Sequence, residues 1–535
     1  MGGTSSVPTS DGNPSGLDDF LSGTFDSGSS GSTDGDGTRY SYQNGAGAYL
    51  LDSWRLTPKV TVNYGIRWDY YGVVGAQNNA FSNFDVKTGA LETVGAPGGP
   101  SSLYPKDLTN FAPRLSVAND LLGNGKLVVR VGTGIFYDGP SQDFFVGNQP
   151  WNTLPAEAGP AFNGIGFASP VVSTISSGVA IFGNYTPNSV FTVDQKLVTP
   201  RYGSYNLNLE SQLAKKIAVQ IGYVGSQGRH LFHFRDLNQF NNVPGRTVSC
   251  GNGKTIGYGE QCFSTYSVGS FVDTPLYYIN QIETSSESNY NSLQSTLKLQ
   301  NFHNLTSTLN YTWSHSIDTA SDGLDFVPNA AQPDDSFNPH AERANSNFDV
   351  RQRLQWYWTY KAPAAKSVKF VGSGWAMDGM FNFASGQPYT VSYLYEGDFN
   401  GSGEFFGRMD IVGDPHAGAH GTNLLNLAAF AVPNGRPGNE GRNAFNSPNY
   451  KNFDFSLTKT SHLSEKVTME LRTDFFNLFN HPNLSNPLLP GFGIDALATS
   501  GQFITTTATP DVGSGNPYLG GGGPRSIQAA AHFSF

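Results

Sequence analysis

The chain has 535 residues, of which 14% are charged and 13% aromatic, with 63 glycines and a formal net charge of -10. This length suits several soluble domains or one large barrel, but the charged fraction lies far below the ~25% of an average soluble domain. The acidic balance and the absence of basic blocks exclude nucleic acid as a partner, and no apolar run reaches the roughly 18 residues that a helical membrane span needs.

In chain order, Met1 to Ser10 has neither a basic start nor an apolar core, so it is not a signal peptide. Either the protein stays in the cytoplasm, or the chain is a fragment whose exported beginning is missing. Residues 1–45 are rich in Gly, Ser and Asp, with DGDG at Asp34 to Gly37, and read as a flexible loop segment before a barrel domain over 46–535. Alternating segments follow. Ala46 to Leu56 and Val60 to Tyr71 form a hairpin through Thr57, Pro58 and Lys59, with Val62, Tyr64, Ile66 and Trp68 opposing Asn63, Arg67 and Asp69. The next pairs are Phe111 to Val117 with Leu127 to Tyr137, Arg201 to Leu213 with Ile217 to Gly225, and Tyr290 to Gln300 with Leu305 to Ser314. Val350 to Tyr360 pairs with Gly374 to Ala384, Tyr450 to Thr460 with Lys466 to Phe476, and Arg525 to Phe535 brings the count to 13 strands.

The last segment, RSIQAAAHFSF, puts Ile527, Ala529, Ala531, Phe533 and Phe535 on one face and Ser526, Gln528, His532 and Ser534 on the other. Gln528, Phe533 and the terminal Phe535 resemble the C-terminal signal read by the outer-membrane barrel-assembly machinery, with Ala530 where Gly is usual.

Connections alternate between short turns and long polar loops. Transmembrane antiparallel β-barrels have that asymmetry, with short periplasmic turns and long extracellular loops. An odd number of antiparallel strands leaves the first and last running the same way, so 13 cannot close edge to edge. A further strand would come from His230 to Leu237, from Gln387 to Tyr395, or from upstream of Met1. Charges at inward parity, including Arg67, Asp69, Arg130, Glu210, Lys298, Arg351, Arg353, Glu470, Arg472 and Asp474, suit a watery or plugged lumen. Trp54, Trp68, Trp313, Trp356, Trp358 and Trp375 near strand ends suit interfacial girdles.

Cys250 and Cys262 flank a Gly-rich polar segment that a disulfide could close in an oxidising compartment, with two free thiols as the alternative. Asp398, Asn400 and Ser402 followed by Gly403 reproduce the first half of a calcium loop. Met409 at the twelfth position cannot ligate, so Glu404 or Asp410 would have to help; a plain polar turn is the other reading. His416 and His420 lack the intervening Glu of a zinc helix, GKT at Gly253 lacks the upstream Gly of a phosphate loop, and no G-x-S-x-G elbow occurs. No enzyme and no cofactor beyond that calcium loop is expected.

Together, AYLLDSWRLTPKVTVNYGIRWDYY (Ala48 to Tyr71), NFDVRQRLQWYWTY (Asn347 to Tyr360), GRNAFNSPNYKNFDFSLTKT (Gly441 to Thr460) and ELRTDFFNLFNHPN (Glu470 to Asn483) resemble the barrel of TonB-dependent outer-membrane transporters of the Oar-like type. The resemblance implies a Gram-negative outer-membrane location, a 22-stranded barrel around an N-terminal plug, and a TonB-recruiting box. Neither plug nor box is in this sequence, so the chain resembles the C-terminal part of such a barrel, and the TonB complex would act only through a missing N-terminal region. The function implied is capture of an unidentified nutrient (siderophore, oligosaccharide or peptide) by the loops, followed by energised transport. The alternative is a structural or adhesive surface barrel without energised transport.

Overall fold

The computed structural model describes residues 40–142, 189–321, 333–487 and 524–535, apart from gaps at 80, 269–270, 276–277, 365–371, 395–397, 404–405 and 485. It also describes residue 145 and the stretches 172–176, 179–182, 494–495 and 502–505. The sequence-based loop segment 1–45 therefore lies outside the described residues up to 39; beyond that, Ser41–Tyr42 pairs with Gly75–Ala76.

One sheet of 15 strands dominates: its main path is 13 antiparallel strands in strict chain order, with Ser189–Val193 pairing in parallel and Ala344–Asn345 antiparallel off that path. The path strands are β1 (Ala46–Thr57), β2 (Val60–Tyr70), β3 (Phe111–Asp120), β4 (Leu127–Tyr137), β5 (Arg201–Ala214), β6 (Ile217–Asp236) and β7 (Tyr278–Phe302). The remainder are β8 (Leu305–Asp318), β9 (Gln352–Lys361), β10 (Trp375–Ala384), β11 (Tyr450–His462), β12 (Thr468–Phe476) and β13 (Ser526–Ser534). The sheet does not close, since β1 and β13 are both edges and every residue in them is exposed. All short turns fall at one end and all long loops at the other. In the two-residue turn between Phe302 and Leu305, His303 and Asn304 both take positive φ (50° and 66°), the twist that two-residue hairpins favour.

Register keeps like beside like. Leu207 and Leu209 of β5 stand opposite Tyr223 and Ile221 of β6 and opposite Val131 and Val129 of β4. A slip of one residue would turn that apolar band to the polar face. Large apolar side chains on this wall are exposed, among them Leu50, Trp54, Ile66, Leu207, Ile221 and Trp313. A face of that kind is complementary to hydrocarbon rather than water, and a strand can cross lipid only inside a sheet that pairs its backbone groups. Close cross-strand approaches also shape the wall: a Cβ on Gly379 would sit 2.3 Å from the Trp358 ring, and one on Gly225 would sit 2.3 Å from the Tyr205 ring. Glycine at each position lets the aromatic lie flat across the neighbouring strand.

Two expectations change. Neither candidate supplies another wall strand. His230 to Asp236 instead lengthens β6, which pairs with the extended start of β7 beyond register shifts between Gly228 and His233. Pro388–Tyr389 and Val391–Leu394 join small sheets within the long loops. The long loops, expected to be simply polar, carry the protein's dry cores. One gathers Val74, Phe81, Leu103, Tyr104, Phe191 and Phe234; another gathers Tyr389, Val391, Tyr393, Met409, Phe430 and Phe445. A wall with lipid on one face and a lumen on the other has no dry side of its own, so this interior forms among the loops.

Candidate functional site

The polar face of the wall is laced with side-chain pairs. Arg67 meets Asp69 at 2.7 Å, Arg130 meets Glu210 at 3.0 Å and Arg472 meets Asp474 at 2.8 Å. Thr359 donates to Asp378 at 2.5 Å, and Thr296 to Asn310 at 2.9 Å. Six of the inward charges read from the sequence, Arg67, Asp69, Arg130, Glu210, Arg472 and Asp474, thus make pairs within and between strands, hydrogen-bonded along a lumen while remaining open to water. Arg351 pairs with Asp349 at 2.6 Å just before β9.

Above the wall, at the long-loop end, the loops converge on a polar knot that sequence reading missed. Arg442 bonds the Asp318 carboxylate and carbonyl, and donates to the Glu342 carbonyl at 2.8 Å; the side chains of Arg442 and Asp318 are each 2% exposed. Arg408 donates to Glu342 Oε2 at 2.6 Å and lies 3.6 Å from Asp334. The Asp334 N–H in turn donates to Glu342 Oε1 at 3.2 Å, and the Arg408 N–H to Asp334 Oδ1 at 3.2 Å. Glu440 accepts the Val391 N–H at 2.8 Å, while its own N–H donates to the Met409 carbonyl at 3.1 Å. Burial pushes Asp334 up to about 6 and Glu440 up to about 8, with Arg408 opposing both shifts. Nothing local marks these residues. They come together across 66 positions for Arg408 and Glu342 and 124 for Arg442 and Asp318.

Cys250 and Cys262 are bonded, with Cα atoms 5.6 Å apart, and pack with Phe84, Ile256, Phe263 and Ile279. In the calcium-like loop, Asp398 Oδ2 accepts the Gly403 N–H at 3.0 Å and Asn400 Oδ1 accepts the Ser402 N–H at 3.0 Å. Asn400 also donates to Asp334 at 3.4 Å, Met409 is buried, and Glu404 lies outside the described residues. These oxygens therefore serve the loop's own amides. Among the described residues, no group of three or more His, Cys, Asp or Glu could hold a metal ion. Gln528 and Phe533 lie on edge strand β13, opposite Asp474 and Met469 of β12, and Phe535 is 99% exposed.

A cavity of about 330 Å³ opens near the β1–β2 end of the cap, lined in part by Tyr42, Tyr70, Asn79, Phe81 and Lys106. Its mixture of aromatic, amide and cationic groups fits a polar ligand with an apolar face.

No curated protein matches the sequence. Among solved structures, the outer membrane transporter YddB from Escherichia coli is similar over 92% of this chain and 45% of its own, with TM-score 0.42 and 10% identity. The ferric enterobactin receptor PfeA from Pseudomonas aeruginosa gives 0.41 and 12%, over 92% of this chain and 45% of its own. The ferripyoverdine receptor of the same organism gives 0.41 and 10%, over 92% and 39%. The chain spans less than half the length of each. A family model described as outer membrane beta barrel domain matches residues 2–528. Membrane-facing wall, polar inner face and that match agree: the chain belongs to the outer membrane beta barrel domain family and its place is the outer membrane.

Proposed function

We propose that this chain is wall and cap of a TonB-dependent outer-membrane receptor that takes up a nutrient too large or scarce to diffuse. The observation carrying this reading is the pairing of an odd-stranded antiparallel wall with a cap that has its own dry cores. A receptor needs a shaped and rigid outer surface, and loops with dry cores of their own supply one. Among the described residues the wall path has thirteen antiparallel strands, and closing such a path edge to edge takes an odd number of further strands. The motifs of Ala48 to Tyr71 and Glu470 to Asn483 support the same family of transporters.

The ligand class is a siderophore, oligosaccharide or peptide, held by the loops outside the cell, with TonB acting through a region beyond these residues. The chain's role is non-enzymatic. A panel of ferric siderophores, oligosaccharides and peptides is titrated against the full-length receptor, and uptake of any binder is followed in cells with and without TonB. Binding with TonB-dependent uptake is the expected result. Binding with equal uptake in both strains, or adhesion to surfaces without uptake of any panel member, overturns the reading in favour of a structural or adhesive barrel.

A further inference from the structure

Beyond any transport role, the polar knot in the cap sets six carboxylates against four arginines. Four arginines reach into this part of the cap, and three are engaged with other partners: Arg246 with Asp335 at 2.5 Å, Arg436 with Asp410 at 2.7 Å, and Arg442 with Asp318. Arg408 alone faces Glu342, Asp334 and Glu440. It contacts Glu342 at 2.6 Å and Asp334 at 3.6 Å. Among the described residues no ion pair reaches Glu440, although its side chain is buried.

The charges that act on Glu440 are the attraction of Arg408 and the repulsion of Asp334. Val391 donates to one carboxyl oxygen, and the other has no hydrogen-bond partner among the described residues. Two further buried hydroxyls in the same core, of Tyr389 and Ser392, are also unpartnered. From the 319–351 loop come Asp334 and Glu342; from the 388–394 stretch comes Tyr389, whose hydroxyl is held above its ordinary range by burial and by Glu440; Arg408 comes from the strand before Met409. Ionising Glu440 would place in a dry core a negative charge that Arg408 offsets only in part, without an ion-pair contact, and water entering an opened core would relieve it.

We propose that Glu440 is a proton-held latch of the cap: with its proton it stays dry between the Val391 and Met409 segments and ties them together, and without it those segments part and admit water. The sign follows from the environment. Glu440 sits at about 8 in the folded cap against an ordinary 4.5, so the folded cap binds the proton more tightly than the open one. The latch is fully closed below about 4.5 and is lost as pH rises through about 8. Asp334, at about 6, adds to the same trend only below that value, so the interval from 6 to 8 isolates Glu440.

Amide hydrogen exchange of the full chain, folded in detergent micelles, reads the latch directly in peptides covering residues 388–394 and 406–411. Between pH 6 and 8 the opening equilibrium of the wild type should rise about tenfold per pH unit. Exchange limited by that equilibrium then climbs about a hundredfold per unit, of which tenfold is the intrinsic base catalysis of exchange. In Glu440→Gln, which keeps the shape and cannot ionise, only the tenfold intrinsic slope should remain. Asp334→Asn should retain the steep slope. A wild type with only the intrinsic slope overturns the proposal, as does a steep slope surviving in Glu440→Gln or vanishing in Asp334→Asn. Should Glu440→Gln fail to fold, the wild type and Asp334→Asn still decide. The result does not depend on which ligand the receptor takes, or whether it takes one.

Discussion

Arg442 and Asp318, 124 positions apart, form a fully buried ion pair that pins the loop before β11 to the last residue of β8. The guanidinium also bonds the Asp318 carbonyl at 2.8 Å and Ser321 at 3.2 Å, so it stitches wall to cap with one side chain. Removing one partner strands the other's charge in a dry site. Arg442→Ala or Asp318→Ala should destabilise the cap by about 3–5 kcal/mol. Arg442→Met with Asp318→Leu should cost clearly less than the sum of the two single changes, because neither charge is left behind. Denaturant titration of micelle-folded protein, with limited proteolysis of the cap as a second readout, checks both; additive losses would show that the pair is not coupled.

Adjacent residues on β6 give a test of which side faces lipid. Ile221 is half exposed within the apolar band, whereas Gln220 stands opposite Glu210 on the polar face. Ile221→Arg should cost about 2–4 kcal/mol for folding into vesicles if it lies near the bilayer midplane. Gln220→Arg, one residue away, should be neutral within about 0.5 kcal/mol. Equal penalties at the two positions would contradict the assigned faces.

The disulfide closes a separation of 12 residues and packs against Phe263 and Ile279. Cys250→Ser with Cys262→Ser should lower the stability of this loop by about 2–4 kcal/mol. Ile279, near the start of β7, joins this cluster to one end of the wall, so the loss should show first as faster proteolytic nicking between residues 245 and 265 and only weakly in the wall's own unfolding.

Asp398 caps its own turn through Gly403. Asp398→Ala should therefore lower thermal stability slightly, by about 1 kcal/mol, and by the same amount with calcium or with a chelator present. A wild-type melting temperature that rises with calcium, in a way lost from Asp398→Ala, would establish an ion at this loop.

Phe535 touches little, being 99% exposed, so its removal should leave the stability of refolded protein unchanged. If the terminal aromatic is read by the barrel-assembly machinery, the same deletion should cut the folded fraction recovered from outer membranes several-fold. Loss in both measurements would mean that Phe535 acts in folding rather than in recognition.

The wall was legible because its signal is local. In β5 the alternation of Tyr205, Leu207 and Leu209 with Asn206, Asn208 and Glu210 is written in consecutive letters, and the observed register places those residues as that alternation demands. Legibility ended where the period of two breaks. His230, with φ of 57°, and the register shifts between Gly228 and His233 interrupt the pattern, which hid the far ends of β6 and β7. The cap was illegible for a different reason. Phe81 and Phe234, or Tyr389 and Phe430, meet only after distant loops fold over one another, and Glu440 within GNEGRN looks like any surface glutamate. A buried acid reveals itself by its neighbours in space, and those carry no sequence period.

The direction in which β1 and β13 run has a consequence for self-association. Two copies inserted the same way up would bring the first strand of one beside the last strand of the other, both pointing the same way. Their meeting would be parallel, and neither seam would repeat the antiparallel bonding of the twelve joints already made in each copy. Doubling this chain therefore gives an even total with two mismatched seams, and such a homodimer is a poor route to a sealed cylinder.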